Sequence, residues 1–339
     1  MESVTDIKKF LLTEAGYWTR CEAFKKCSYG DKNRYKKFRI VCNKSPYAYH
    51  QGLISTISII LPYMIEARLH GYIPVVDLCK NSRCQIMLQE PELAKKENAW
   101  EYYFTQPNRE ISLEEVRQSR YVEEQIKHCS NTNYYLGDGN IRGGILTQLI
   151  RWGIHQNIHL QPKIKNKLIR EKRRLFSDTD RILGIGIRAG YRWGIMGDYS
   201  VLNGHPMVGS CAECIKSIEK KLAEWNYDTF FLAIDDREYL EEIKKYFGGS
   251  CISTERPRMH FFRDALKDIP EAGEDAYVEV ADISMRNQNE DYLVELYLLA
   301  QCDSLYSYRG TGYNFSYLIN NGRYSRVEFE DLGEFNYAK

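Results

Sequence analysis

From residue 182 onward the sequence alternates short β-branched runs with longer amphipathic ones. Ile182-Leu183-Gly184-Ile185-Gly186-Ile187 reads as a strand, followed by a long loop and a helix carrying Trp225. Phe230 to Ile234 reads as a second strand, Glu238 to Phe247 as a helix stopped by Gly248-Gly249, and Cys251-Ile252-Ser253 as a short strand. Tyr277 to Val280 reads as a further strand and Asp291 to Gln301 as a helix. Asp303-Ser304-Leu305-Tyr306 then leads into the turn Gly310-Thr311-Gly312 and a final helix. Strands separated by helices pair as parallel strands with right-handed crossovers. The second half is therefore expected to be an open parallel α/β sheet.

The first half carries one comparable unit. A run from Phe38 to Cys42 is followed by a polar loop (Asn43 to Gln51), Gly52, a long apolar helix closed by Gly71, and the strand-like Ile73-Pro74-Val75-Val76-Asp77. A glycine at such a loop-to-helix junction marks the edge where an open α/β sheet places a ligand, which makes Gly52 a candidate ligand-binding residue. Ser112-Leu113-Glu114-Glu115 reads as a capping box. At roughly 150 residues per domain, 339 residues correspond to about two domains. The expected division is an α/β lobe over 1–160, a basic helical linker over 161–180 and a second lobe over 181–339, with a cleft between the lobes.

Charge narrows the partners. Lys and Arg number 47 against 46 Asp and Glu, a net +1, so no global field draws in nucleic acid or an anionic membrane. The basic residues are locally concentrated at Lys163, Lys165, Lys167, Arg170, Lys172, Arg173 and Arg174. That segment is either a solvated helix linking two domains or a contact with a phosphorylated acceptor or with acidic lipid, where each cation contributes roughly 1 kcal/mol. Leu53 to Ile65 is interrupted by Ser55, Thr56, Ser58 and Pro62, short of the about 20 apolar residues a bilayer span needs. The start Met1-Glu2-Ser3-Val4-Thr5-Asp6 does not read as a secretory signal, so a cytoplasmic location is expected. The 10 cysteines lie scattered. The CxxC at Cys211 and Cys214 shares a helical stripe with Ile215, Ile218, Leu222 and Trp225, a pattern of core packing rather than redox or zinc chemistry. No second CxxC completes a metal site. The 26 tyrosines fit sugar-stacking surfaces or simply the general composition.

Polar residues gather just beyond the carboxyl ends of the second-half strands: Arg188 to Arg192, Asp235-Asp236, and Tyr308 to Tyr313. On one edge of one sheet these make a nucleotide-sized site. Neither a P-loop nor a GxGxxG is present. The Asp pair either meets a ligand or caps the helix that follows it.

At these residues the sequence resembles a family. Gly184-Ile185-Gly186-Ile187-Arg188-Ala189-Gly190 is similar to the strand-and-arginine motif of the fucosyltransferase superfamily of core N-glycan, Nod-factor and protein O-fucosyltransferases. His205-Pro206, Phe231-Leu232-Ala233-Ile234-Asp235-Asp236 and Leu298-Leu299-Ala300-Gln301-Cys302-Asp303-Ser304-Leu305 resemble its later motifs in order and spacing, from Leu183 to Arg323. Gln51-Gly52-Leu53 and Gly71 to Asp77 fit its first domain.

The resemblance implies a GT-B fold, two Rossmann-like lobes facing across a cleft. It further implies an inverting, metal-independent glycosyltransferase with no cofactor, moving fucose or a related sugar from a GDP-sugar donor. The acceptor would be a glycan or a lipid-linked surface-polysaccharide intermediate. Without a metal, a fixed guanidinium is the natural stabiliser of the diphosphate leaving group. Arg188 is the candidate, Arg192 a second cation, and Gly190 leaves room for close approach. Glu295 matches the family's guanine-reading acid. Asp235 and Asp236 would hold ribose or the start of their helix, and Gly310, Thr311 and Gly312 would offer backbone N–H groups to phosphate. Inversion needs a base for the acceptor hydroxyl. The family's glutamate falls on Val201 here, and Asp198 is the nearest carboxylate. Gly186 stands where the family usually has a histidine. His50 and Gln51 are assigned to the acceptor side, with His50 either facing the cleft or bonding a loop carbonyl, while His205 reads as a loop-shaping residue. The competing functions are a sugar-nucleotide epimerase or hydrolase on the same fold, and a non-catalytic glycan- or nucleotide-binding module.

Overall fold

The structure is a computed structural model that describes residues 23–45, 52–79, 97–128, 144–176, 181–189, 204–258 and 285–334. It divides into two compact units, the first ending at Lys165 and the second starting at Asn166. The division falls inside the basic helix. The strand expected at 277–280 lies outside the described residues.

The first unit holds β1 (Phe24–Cys27), β2 (Lys32–Val41), α1 (Leu53–Leu69), β3 (Ile73–Val76), the short α2 (Trp100–Tyr103) and α3 (Leu113–Val116), β4 (Ser119–Gln125) and α4 (Gly144–Asn157). Its sheet runs β1-β4-β2-β3. β2 pairs in parallel with β3 and β4, as the β-loop-α-β reading requires, while β1 pairs antiparallel to β4. The sheet is therefore mixed, which departs from a purely parallel Rossmann-like lobe. Phe38, Ile40, Val75 and Val122 form its apolar layer with Ile111 and Val116. On the other face Arg39 is buried between Glu66 of α1 (2.7 Å) and Glu123 of β4 (2.6 Å), with its guanidinium carbon 4.2 Å from the Phe24 ring centre. One cation thus ties helix to sheet. The Ser112 hydroxyl accepts from the Glu115 N–H as expected, but the Glu115 carboxylate turns to Asn33 instead of closing the box.

The second unit is the more regular. After α5 (Pro162–Leu175) come β5 (Leu183–Ile187), α6 (Cys211–Trp225), β6 (Phe230–Ile234), α7 (Arg237–Phe247), β7 (Cys251–Ile252), α8 (Met285–Leu299), β8 (Ser304–Tyr308), α9 (Thr311–Ile319) and β9 (Val327–Glu330). All strands are parallel, in the order β7-β6-β5-β8-β9. That is a doubly wound sheet whose direction of winding reverses between β5 and β8.

The Leu-Gly-Ile-Gly-Ile sequence of β5 explains its two faces. Period-2 alternation puts Leu183, Ile185 and Ile187 into a core with Phe230, Leu232 and Ile234 and with Cys211, Cys214 and Ile218 of α6. Gly184 and Gly186 fall on the opposite face, where α8 and α9 approach closely. A Cβ at Gly184 would stand 2.7 Å from the Leu299 side chain. Neither thiol of the CxxC forms a disulfide with a described residue, and both are buried. Burial pushes the Cys211 thiol up to about 12, so it packs as a neutral side chain. A reciprocal capping box of Ser210 and Glu213 opens α6.

Candidate functional site

The winding reversal falls at the carboxyl ends of β5 and β8, the edge where open α/β sheets bind ligands. Arg188 follows β5 directly, and Gly310 stands between β8 and α9. The side chain of Arg188 is 35% exposed. Its Cδ lies 4.0 Å from the position a Cβ of Gly310 would take, so its stem runs along the N-terminal turn of α9. Asp235, at the end of β6, places Oδ2 3.9 Å from Arg188 Nε. Gly310 is the N-cap of α9, and its carbonyl accepts from the Tyr313 and Asn314 N–H groups. A helix N-terminus concentrates partial positive charge. A guanidinium and a helix N-terminus meeting at one strand edge is an arrangement suited to a phosphate or diphosphate.

Asp236 settles into the second of its two sequence-level roles. It is 1% exposed, and its Oδ1 accepts from the Tyr239 N–H at 2.9 Å, capping α7. Burial, offset by that hydrogen bond and reinforced by the neighbouring Asp235 charge, raises its carboxyl above the usual range. Asp236 is therefore a helix cap and not a donor-binding residue, because a side chain enclosed this way presents no atom to ribose.

Glu295 also departs from expectation. On α8, 1% exposed, it spends both oxygens on protein donors. Arg256 Nε and Nη2 reach Oε2 at 2.9 and 2.7 Å, while Arg258 Nη2 and the Thr254 hydroxyl reach Oε1 at 2.8 and 2.9 Å. A carboxylate held by four donors is an anchor for two arginines, not an open reader of a base edge. Burial works against the Arg256 charge, yet Glu295 outweighs it and raises the pKa. At Arg258 burial prevails and lowers it. Arg256 also donates to the Ile234 carbonyl at the end of β6, which ties this cluster to the strand edge beside Asp235. The sequence reading missed both arginines.

Two tyrosines fill the space between these groups. The Tyr292 hydroxyl occupies the place where Gly312 would carry a Cβ, and the Tyr313 ring lies 2.8 Å from where Gly186 would carry one. Burial pushes Tyr292 up to about 12, against Arg188 and Arg256, and raises Tyr313 far above the phenol range. Tyr313 donates to the Ala233 carbonyl at 3.2 Å. A histidine at position 186 would need the volume that Tyr313 and Ser307 fill. The glycine there is thus matched by a ring supplied from α9.

Of the residues named from sequence, Arg188, Asp235, Gly310, Thr311 and Gly312 converge on this edge. Gly52 precedes α1 in the first unit, and nothing lies within 4 Å of where its Cβ would be, so crowding does not demand a glycine there. Arg192, Asp198, Gly190, His50 and Gln51 lie outside the described residues. Among the described residues, no group of three or more His, Cys, Asp or Glu side chains is placed to hold a metal, and no helix is long and apolar enough to cross a membrane.

No family model matches the chain, and no curated protein does. Among solved structures the chain is similar to NodZ alpha-1,6-fucosyltransferase soaked with GDP-fucose, at 14% identity and a TM-score of 0.48 over 88% of this chain and 96% of that one. It is similar to fucosyltransferase NodZ from Bradyrhizobium at 13% identity and a TM-score of 0.46, over 88% and 95% of the two chains. Arabidopsis thaliana FUT1 in complex with GDP gives 10% identity and a TM-score of 0.43 over 96% and 77%.

Proposed function

We propose that this chain is a GT-B glycosyltransferase that transfers fucose or a related sugar from a GDP-sugar, inverting and without a metal, to a glycan or lipid-linked glycan acceptor. The observation that carries the reading is Arg188 lying along the N-terminal turn of α9 at the winding reversal of a doubly wound sheet. The motif order from Leu183 to Arg323 supports the sugar-nucleotide donor. In this reading the donor's diphosphate sits between the Arg188 guanidinium and the backbone N–H groups of Thr311 and Gly312. As the bond from the sugar's anomeric carbon to the phosphate oxygen breaks, negative charge collects on that oxygen. A preorganised guanidinium stabilises this charge more than the ground state, which lowers the barrier. Asp235, with Oδ2 3.9 Å from Arg188 Nε, would meet the ribose hydroxyls.

The Glu295 anchor changes how the base would be read. With both oxygens engaged, Glu295 acts on guanine indirectly, through Arg256 and Arg258, or by exchanging those partners when donor binds. The first lobe would supply acceptor contacts through His50 and Gln51, with Gly52 on the donor side. The exposed cations of α5 would bring the enzyme to a membrane that carries a lipid-linked acceptor.

The test is GDP release from GDP-fucose, followed together with calorimetric titration of GDP, UDP and ADP. GDP preference and turnover in the wild type, with both lost in Arg188→Ala, support the reading. Absence of binding to any of the three nucleotides overturns it.

A further inference from the structure

We propose that His205 is the general base of the transfer, its imidazole taking the acceptor's hydroxyl proton at the same sheet edge as Arg188. The proposal rests on the glycosyltransferase reading and goes beyond it, since the sequence left His205 as a loop-shaping residue and put the base on Asp198. The placement comes from the chain around it. Pro206 forms an antiparallel bridge with Glu334, and the Met207 N–H donates to the Gly333 carbonyl at 2.9 Å. The Glu334 carboxylate is bound by Arg309 at 3.0 Å, and Arg309 is the residue between β8 and Gly310. Gly310 is where the Arg188 stem rests. The segment from His205 to Met207 is thereby fastened beside the winding reversal, next to the group proposed to receive the leaving-group charge.

The electrostatics match the role. Burial, and next the Arg188 guanidinium, lower the imidazole below its ordinary 6.5, while Glu334 pulls the other way. Arg188 faces His205 from the end of β5 and Glu334 from the C-terminal segment. Each has its own counter-charge, Asp235 for Arg188 and Arg309 for Glu334. At neutral pH the imidazole is therefore uncharged and ready to accept a proton, which a base needs. Val201 has no proton acceptor at the position where the family places a glutamate, so the base must come from elsewhere. In the balanced step, the acceptor oxygen forms its bond to the anomeric carbon as that carbon's bond to the phosphate oxygen breaks. The electron pair leaves with GDP beside Arg188, and the hydroxyl proton passes to His205 and then to solvent.

The experiment uses the full chain and needs no knowledge of the natural acceptor. GDP release from GDP-fucose is measured with water as acceptor and again with sodium azide, an anionic nucleophile that carries no proton to remove. Wild type, His205→Gln and Asp198→Asn are compared, with GDP affinity of each by calorimetry as the control for folding and donor binding. The expected result is a loss of about 100-fold or more for His205→Gln with water, largely restored by azide, at unchanged GDP affinity. The acid limb of the wild-type kcat/KM profile, falling as pH drops through the His205 value, should be missing in that variant. A loss of only a few fold, a loss that azide does not restore, or an acid limb that persists would overturn the assignment. Azide rescue of Asp198→Asn instead would move the base to that residue. A wild type that neither binds GDP nor releases it from GDP-fucose refutes the glycosyltransferase reading itself, independently of the variants.

Discussion

A Cβ at Gly186 would press on the Tyr313 ring at 2.8 Å, and the Ser307 hydroxyl closes the same space. The residue's lack of a side chain is thus a packing requirement created by β8 and α9 together, and the ring in turn is held by its bond to the Ala233 carbonyl. Overpacking a filled core costs about 1–3 kcal/mol, and Gly186→Ala is expected to fall in that range by urea denaturation. The same substitution in a Tyr313→Ala background should cost measurably less, because the two positions share one volume. Equal costs in both backgrounds would show that the ring is not what excludes the methyl. Arg188 was legible in the sequence because a basic residue immediately after a strand of an open sheet is where such sheets bind anions. Arg256 and Arg258 were not legible. Two arginines flanking Pro257 in a loop read as solvated charges, and nothing local indicates a partner 39 residues further on in Glu295. Removing that partner leaves two buried guanidinium groups uncompensated. Glu295→Ala should therefore destabilise the fold by about 3–5 kcal/mol, far more than a surface glutamate would in the same denaturation assay.

At the scale of the element, α7 shows how an ambiguous motif resolves. Asp235-Asp236 could be assigned only to a pair of roles from sequence, because a carboxylate after a strand serves a ligand and a helix start equally well. The backbone decides: the Tyr239 N–H lies 2.9 Å from Asp236 Oδ1, and the residue is sealed. Asp236→Ala is expected to cost about 1 kcal/mol through the lost cap, with Asp236→Asn retaining most of it. The pH behaviour has a definite sign. Because the folded state raises this carboxyl above its ordinary 3.8, the residue favours folding below that value and loses this contribution as pH rises through its folded-state value. Its neutral Asn replacement should remove that slope, as acid titrations of stability would reveal. The basic helix α5 is a different case. Lys165, Arg170, Lys172 and Arg173 are exposed, whereas Lys167 pairs with Asp291 and Arg174 with Glu171 and Glu255. If this face meets anionic lipid, reversing those four exposed cations to Glu should abolish co-sedimentation with phosphatidylglycerol vesicles. Phosphatidylcholine vesicles should fail to bind either form. Equal retention of wild type and variant on the anionic vesicles would leave α5 as a solvated helix only.

Across the whole molecule, the alternation of strands and helices fixed parallel pairing in the second unit but could not order the strands. Order depends on which edge each crossover returns to, which no local sequence pattern specifies. In the first unit the antiparallel β1 went unread, because Phe24–Cys27 is short and mostly polar. The strand order matters for function because it creates the winding reversal, and with it the meeting of Arg188 and α9. A site built on a fixed guanidinium and a helix terminus compensates diphosphate charge by itself. Turnover of GDP-fucose should accordingly be insensitive to EDTA, whereas a loss of activity that magnesium restores would defeat the metal-independent mechanism. Donor binding should also register as global stability, since a ligand selective for the folded state adds about 2.7 kcal/mol at 100 times its Kd. Thermal unfolding monitored with GDP, UDP and ADP at equal concentration should rank GDP first. Arg188→Ala should erase the GDP shift while leaving the unliganded midpoint near that of the wild type, because its side chain is partly exposed. If the midpoint instead collapses without ligand, Arg188 is a structural residue and the charge at this edge serves the fold rather than a donor.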